Sequence, residues 1–174
     1  MLLIMAGLPG TGKSMLARSL AERMRGHVLD KDRVRDALFG PERIEFSTDQ
    51  DDLVVSLMLQ AAAHIWWKDD RAVVILDGRV FSKNAQLRQV TDFADKVEQR
   101  WHVLECVCSP DTAKRRIAGD QRSGTHLAAN RDVTLYEAVR ARFEPITEPK
   151  LVVDTEGQVN LDQLVAKLLG KIPT

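Results

Sequence analysis

The chain has 174 residues, of which 44% are hydrophobic and 29% are charged, a balance typical of one ordinary globular domain. Lysine and arginine total 25, as do aspartate and glutamate, so the formal net charge is zero. A neutral chain has no global field that attracts nucleic acid or an acidic lipid surface. These values disfavour extended nucleic-acid binding and membrane association, and we expect a single domain over residues 1–174.

The cysteine content argues against a disulfide framework. Only Cys106 and Cys108 are present, and the four scattered histidines do not add the further ligands that a zinc site needs. We therefore expect buried thiols and a reducing, cytoplasmic setting. The opening MLLIMA is far shorter than a signal peptide and is expected to form the first strand.

Short apolar runs alternate with amphipathic segments along the chain. Most of the runs are continuously apolar, which is typical of strands buried on both faces of a sheet. This alternation favours right-handed crossovers and a mainly parallel sheet with helices on both sides, which is an α/β fold. The predicted strands are Leu2–Ala6, His27–Leu29, Ala72–Leu76, His102–Val107 and Leu151–Val153. The predicted helices are Lys13–Arg25, Lys31–Phe39, Asp51–Lys68, Lys83–Gln99, Pro110–Gly119, Val133–Phe143 and Leu161–Leu169.

Residues Gly7 to Ser14 read GLPGTGKS and match the phosphate-binding pattern G-x-x-x-x-G-K-[ST] between a predicted strand and a predicted helix. Glycines let backbone N–H groups face phosphate oxygens, and the helix N-terminus attracts anions. Lys13 would neutralise the β- and γ-phosphates and Ser14 would ligate Mg²⁺. A glycine-rich turn that binds nothing is the alternative, which the full match disfavours. The predicted nucleotide-binding residues of this turn are Gly7, Pro9, Gly10, Thr11, Gly12, Lys13, Ser14 and Met15.

A second polar segment, DKDRVR from Asp30 to Arg35, follows the second predicted strand. Ligands bind at the carboxyl edge of an open parallel sheet. Asp32 and Arg35 are three residues apart and share a helix face, so the carboxylate can take a proton from a substrate hydroxyl while the arginine holds the substrate. Asp30 is a favoured helix N-cap residue, which makes Asp32 the better candidate for the base.

The third predicted strand ends in an acid, within VVILDGR. Asp77 at this position would lie beside the Mg²⁺ of the phosphate loop or beside its waters. A strand-end aspartate can also simply cap a turn, but the preceding phosphate loop favours the metal. Arg79, two residues further on, and Arg88, on the next predicted helix, could reach a substrate. A solvated position is the other interpretation of Arg88.

A basic helix and a polar loop follow Pro110, in PDTAKRRIAGDQRSGTHLAANRD. Guanidinium groups match the charge that builds on a transferring phosphoryl group, and a closing lid expels water. We predict a mobile lid at about residues 114–130 that supplies Arg116 and Arg122, with Arg115 as the alternative to Arg116. An exposed basic surface is the other interpretation of this segment.

Taken in order, GLPGTGKS, DKDRVR, VVILDGR and the arginine-rich segment resemble the AAA-related group of small P-loop kinases. That group includes polynucleotide 5′-hydroxyl kinases and, more distantly, gluconate, shikimate and adenylate kinases. The resemblance implies a three-layer P-loop kinase fold with a five-stranded, mainly parallel sheet and a mobile lid. It further implies that Asp32 activates the acceptor hydroxyl, that Arg35 lies near the acceptor phosphate, and that Thr155 lies near the adenine.

We therefore predict an ATP- and Mg²⁺-dependent kinase that transfers the γ-phosphoryl group to a hydroxyl of a small-molecule acceptor. A polynucleotide 5′-hydroxyl kinase that binds only a short end is one alternative. A nucleotide-dependent switch or binding module with slow ATPase activity is the other. The acids beside the second strand and the arginine-rich lid favour an enzyme with an acceptor.

Overall fold

The computed structural model describes residues 1–123 and 132–171. Its five strands form one sheet in the order β2-β3-β1-β4-β5, and every neighbouring pair is parallel. The strands are β1 Leu2–Ala6, β2 His27–Asp30, β3 Val74–Asp77, β4 Trp101–Val107 and β5 Lys150–Asp154. The helices are α1 Lys13–Met24, α2 Lys31–Phe39, α3 Thr48–Lys68, α4 Asn84–Lys96, α5 Pro110–Ser123, α6 Val133–Ala141 and α7 Leu161–Leu168, with a short 3₁₀ turn at Pro41–Arg43.

The central strand β1 divides the hydrophobic core into two layers. Its side chains alternate between the faces of the sheet, and all five of its residues are buried. Leu2 and Ile4 belong to the cluster formed with α3 and α4, whereas Leu3 and Met5 belong to the cluster formed with α1 and α7. The predicted three-layer α/β architecture is therefore confirmed, and the sheet is parallel throughout its described strands.

Among the helix boundaries that differ from the sequence prediction are the start of α3 and the end of α5. Helix α3 begins at Thr48 because the Ser47 hydroxyl accepts a hydrogen bond from the Gln50 N–H at 3.2 Å, which caps the first turn. Helix α5 continues past its predicted end at Gly119 to Ser123, so the prediction of a loop is wrong for residues 120–123. One glycine costs a helix only about 1 kcal/mol relative to alanine, too little to end it here. The remainder of the predicted loop, residues 124–130, lies outside the described residues.

Membrane insertion was disfavoured by the composition. Among the helices in the two described ranges, none is both long and apolar enough to cross a bilayer.

Replacing a fully buried residue of α1 tests this packing. Leu20 has 0% exposure against the sheet, whereas Leu38 on α2 is 51% exposed. We expect Leu20→Ala to lower the free energy of unfolding by about 3 kcal/mol, because it leaves a cavity. Leu38→Ala should lower it by less than about 0.5 kcal/mol. Urea denaturation monitored by circular dichroism measures both, and equal losses would contradict the assigned core.

Candidate functional site

The phosphate loop between β1 and α1 requires glycine for steric reasons. Gly7 and Gly10 have φ angles of 122° and 78°, in the region that side chains disfavour. A Cβ atom at Gly7 would lie 2.4 Å from the Cys106 carbonyl oxygen, and one at Gly10 would lie 2.5 Å from the Ala113 carbonyl oxygen. The loop is thus packed directly against the end of β4 and the first turn of α5.

Lys13 lies within this loop. Its ammonium group donates hydrogen bonds to the carbonyl oxygens of Gly7 at 2.8 Å and Leu8 at 2.7 Å, and the residue is buried. The Thr11 hydroxyl donates to the Leu8 carbonyl oxygen at 2.8 Å. These bonds hold the lysine beside the loop whose N–H groups form a cradle for anions.

A cavity of about 760 Å³ opens beside the loop. The cavity is lined by the turn from Pro9 to Met15, apart from the buried Thr11, and by residues of α2, the start of α3, the segment after β3, α5 and α6. Its described walls carry nine lysine or arginine residues and four aspartates. Because the whole chain is neutral, this excess of cations is local, and it favours anionic ligands.

The first turn of α2 contributes a carboxylate to the lining of the cavity. Asp30 caps the helix, since its carboxylate accepts from the N–H groups of Asp32 at 3.0 Å and Arg33 at 3.3 Å, which confirms the cap interpretation. Asp32 lines the cavity, with its Oδ1 atom 3.4 Å from Arg35 Nη1 and 3.8 Å from Lys31 Nζ. Two buried cations therefore flank the carboxylate that the sequence singled out as a base.

Helix α3 supplies further acids that sequence reasoning did not assign. Asp51 lies 2.9 Å from Lys31 Nζ and forms an ion pair with Arg35, while Asp52 accepts a hydrogen bond from Arg79 Nη2 at 2.5 Å. Lys31, Arg35 and Arg79 are each less than 10% exposed. The pair of adjacent aspartates at the start of α3 was the available signal, but these ion pairs join residues far apart in the chain.

Burial changes the acid–base behaviour of Lys31. Loss of solvent is the main cause that lowers its pKa to about 8; the charges of Arg35 and Arg79 act in the same direction, and that of Asp32 opposes the shift. The Lys31 ammonium group therefore loses its proton at a lower pH than that of an exposed lysine.

Asp77 lies at the carboxyl end of β3, next to Asp30 in the parallel register. It is 2% exposed and does not itself line the cavity, although Gly78 does. Its Oδ1 atom is buried and has no hydrogen-bond partner among the residues that the structure describes. An acceptor left open in this way fits a water molecule held by Mg²⁺.

The surroundings of Cys106 relate Asp77 to the phosphate loop. Burial raises the pKa of the Cys106 thiol to about 11, and the charges of Lys13 and Asp77 act on it in opposite directions. Within the described ranges, no group of three or more histidine, cysteine, aspartate or glutamate residues could hold a metal by itself. Mg²⁺ bound mainly through phosphates and water does not require such a group, so Ser14 and Asp77 could hold it at the loop.

Arg116 on α5 connects the loop to the turn after β5. Its Nη2 donates to the Thr155 carbonyl oxygen at 2.6 Å and its Nη1 to the Thr155 hydroxyl at 3.2 Å. The Thr155 hydroxyl lies 2.9 Å from the Thr11 carbonyl oxygen. Arg116 lines the cavity and Thr155 is buried behind it.

The other predicted lid arginines lie elsewhere. Arg122 is exposed on the last turn of α5, where its Nε donates to the Ala118 carbonyl oxygen at 3.2 Å, and it is not among the described residues that line the cavity. Arg115 donates to the Thr112 hydroxyl at 2.7 Å. Their role as lid arginines stays a prediction, because residues 124–130 of the lid lie outside the described part of the chain.

Comparisons with known proteins agree with this fold. A family model described as an AAA domain matches residues 2–146. A Chloroflexus aurantiacus protein with a provisional kinase assignment is 22% identical, with a TM-score of 0.77 over 98% of this chain and 97% of that chain. Kti12 from Chaetomium thermophilum, in complex with ADP-AlF3, is 15% identical, with a TM-score of 0.71 over 98% of each chain.

A third similar structure is the Mycobacterium tuberculosis APS kinase CysC in complex with AMPPNP and APS. It is 16% identical, with a TM-score of 0.64 over 97% of this chain and 95% of that chain. No curated protein sequence matches the chain significantly. The fold is that of the small P-loop kinases.

The steric fit of the phosphate loop generates a prediction about nucleotide affinity. Gly10→Ala should weaken ATP binding at least about 10-fold, because the new Cβ meets a backbone carbonyl at 2.5 Å and the φ angle of 78° is strained. The matched control is Gly119→Ala on α5, where a Cβ meets nothing within 4 Å. Isothermal titration calorimetry measures both affinities. Unchanged binding by Gly10→Ala would contradict the cradle.

The lowered pKa of Lys31 generates a prediction about stability. Its folded pKa of about 8 lies below the ordinary value of 10.5, so between these pH values the unfolded chain binds more protons and folding becomes more favourable as pH rises. Relative to Lys31→Met, the wild type should gain up to about 3 kcal/mol between pH 8 and 10.5. Chemical denaturation across this range measures the difference, which a buried lysine of ordinary pKa would leave constant.

Proposed function

The chain belongs to the AAA domain family, and we propose that it is an ATP-dependent kinase that transfers the γ-phosphoryl group to a hydroxyl of a small-molecule acceptor. One observation carries the proposal. A single cavity is lined both by the phosphate loop and by the Asp32 carboxylate, which two buried cations flank. A kinase needs these two half-sites to face each other, since the reaction depends on positioning and charge stabilisation.

The phosphate side would bind ATP through the N–H groups of the loop and the ammonium group of Lys13. Arg116 adds a guanidinium group on the same wall. Ser14 and Asp77 would hold Mg²⁺, which supplies charge neutralisation at the phosphates when bound. Helix α1 begins directly after the loop, so the positive end of its dipole also points toward the bound anion.

The acceptor side would supply the proton transfer. Asp32 accepts the proton of the acceptor hydroxyl, the hydroxyl oxygen bonds to the γ-phosphorus, and the bond to the β-phosphate oxygen breaks to release ADP. Arg35 and Lys31 lie beside the Asp32 carboxylate and would fix its orientation. Arg122 would approach from the lid.

Two other functions remain as outcomes of the test. A nucleotide-dependent switch would bind and slowly hydrolyse ATP with no acceptor; Kti12, in complex with ADP-AlF3, has the same fold. A polynucleotide 5′-hydroxyl kinase would bind short oligonucleotides. The buried cations around Asp32 favour an enzyme with an acceptor, because a hydrolytic switch does not require a second polar half-site.

A phosphoryl-transfer screen with ATP and hydroxyl metabolites, nucleosides and 5′-hydroxyl oligonucleotides tests the proposal. Lys13→Ala should abolish transfer. Asp32→Asn should lower kcat by about 100-fold or more, because it removes the proton acceptor, while the ATP dissociation constant changes less than about threefold. The matched control is Asp36→Asn, the same substitution one turn further along α2 at a residue that does not line the described cavity.

The outcomes separate the three functions. Full turnover by Asp32→Asn would remove its assignment as the base. ATP hydrolysis without transfer to any acceptor would favour the switch. Transfer only to oligonucleotides, with salt-dependent binding, would favour a polynucleotide 5′-hydroxyl kinase.

A further inference from the structure

Arg79 is a buried arginine with hydrogen-bonding capacity left over. It follows β3, lines the cavity and is 5% exposed. Its Nη2 donates to Asp52 Oδ1 at 2.5 Å, but its Nη1 is buried and has no hydrogen-bond partner among the described residues. Leaving a charged donor desolvated and unpaired costs stability, and an acceptor atom that reached Nη1 from the cavity would remove that cost.

The other two buried cations that line the cavity, Lys31 and Arg35, differ from Arg79 in their ion pairs. Lys31 lies 2.9 Å from Asp51 Oδ1. Arg35 forms ion pairs with both Asp51 and Asp32, although its Nε and Nη2 atoms, like Arg79 Nη1, have no hydrogen-bond partner among the described residues. Asp52, the partner of Arg79, has a side chain that is 46% exposed, so water competes for its charge. Of the three cations, Arg79 is therefore the one whose charge is least compensated by the protein.

Arg35 and Arg79 each lie close to a phenylalanine ring. Phe46 and Phe81 both line the cavity and both have left-handed backbones, with φ angles of 51° and 53°, which costs a bulky residue about 1–3 kcal/mol. The Arg35 guanidinium carbon lies 5.3 Å from the Phe46 ring centroid, and that of Arg79 lies 5.9 Å from the Phe81 ring centroid. These ring contacts restrict the two guanidinium groups, and a preorganised guanidinium binds planar oxyanions well.

We infer that Arg79 binds an oxyanion of the acceptor, so that the substrate class is hydroxyl compounds carrying a carboxylate or phosphate group. This inference rests on the proposed kinase function. The oxyanion bonds to Nη1, and Asp52 keeps the guanidinium oriented through Nη2. The acceptor hydroxyl then faces Asp32 on the same wall of the cavity.

Binding measurements with matched probes test the inference. The protein is saturated with a non-hydrolysable ATP analogue, so that the phosphate loop is occupied. Calorimetry then compares gluconate with glucitol for a carboxylate, and glycerol 3-phosphate and nucleoside 3′-monophosphates with glycerol and nucleosides for a phosphate. We expect the anionic member of at least one pair to bind about 10-fold or more tightly than its neutral counterpart. Absence of such a preference in every pair overturns the inference.

Three variants assign the preference to Arg79. Arg79→Gln should weaken binding of the anionic probe about 10- to 100-fold and leave the neutral probe unchanged. The matched control Arg88→Gln, at an exposed position of α4, should change neither. Asp52→Asn should tighten anion binding several-fold, because it removes the negative charge beside Arg79 while the amide oxygen can still accept from Nη2.

If Arg79→Gln does not fold, Asp52→Asn still tests the inference. Unchanged or weaker anion binding by Asp52→Asn overturns it. The two proposals fail differently. Anion binding that depends on Arg79, without phosphoryl transfer, would contradict the proposed kinase function and support the oxyanion site. Phosphoryl transfer to neutral and anionic acceptors with equal efficiency would support the kinase function and contradict the oxyanion site.

Discussion

The parallel register of the sheet is the constraint on which the site depends. Because β1 lies between β3 and β4 and all pairs are parallel, the strands end at one edge. The register places Asp30 beside Asp77, and the phosphate loop leaves the sheet from the neighbouring strand. Residues far apart in the chain therefore meet at one cavity. The tight contacts of Gly7 with β4 and of Gly10 with α5 fix how closely the phosphate loop packs against these two elements.

Charge is concentrated at this edge in a chain that has none overall. The charges of three buried cations, Lys31, Arg35 and Arg79, are only partly offset by their aspartate partners, whose side chains are more exposed. Removing charges from water is costly, and the lowered pKa of Lys31 reflects that cost. Such an arrangement is poorly explained by stability, whereas anionic ligands on both sides of the cavity would offset it.

The local patterns of the sequence predicted much of this structure. The phosphate loop, the five strands and the Asp30 cap follow from short motifs and continuous apolar runs, so composition and spacing sufficed. The ion pair of Arg79 with Asp52 spans 27 residues and depends on how α3 packs, which periodicity does not encode. The left-handed conformations of Phe46 and Phe81 were also beyond prediction, because phenylalanine rarely adopts them and only tertiary contacts compensate the strain.

The central claim is that a nucleotide phosphate and an acceptor hydroxyl meet between Lys13 and Asp32, and the fate of the γ-phosphate tests it most directly. Phosphorus-31 NMR can follow ATP consumption in the presence of a pool of anionic hydroxyl metabolites. The account predicts a new phosphomonoester resonance that grows in step with ADP. Inorganic phosphate as the sole product would contradict it.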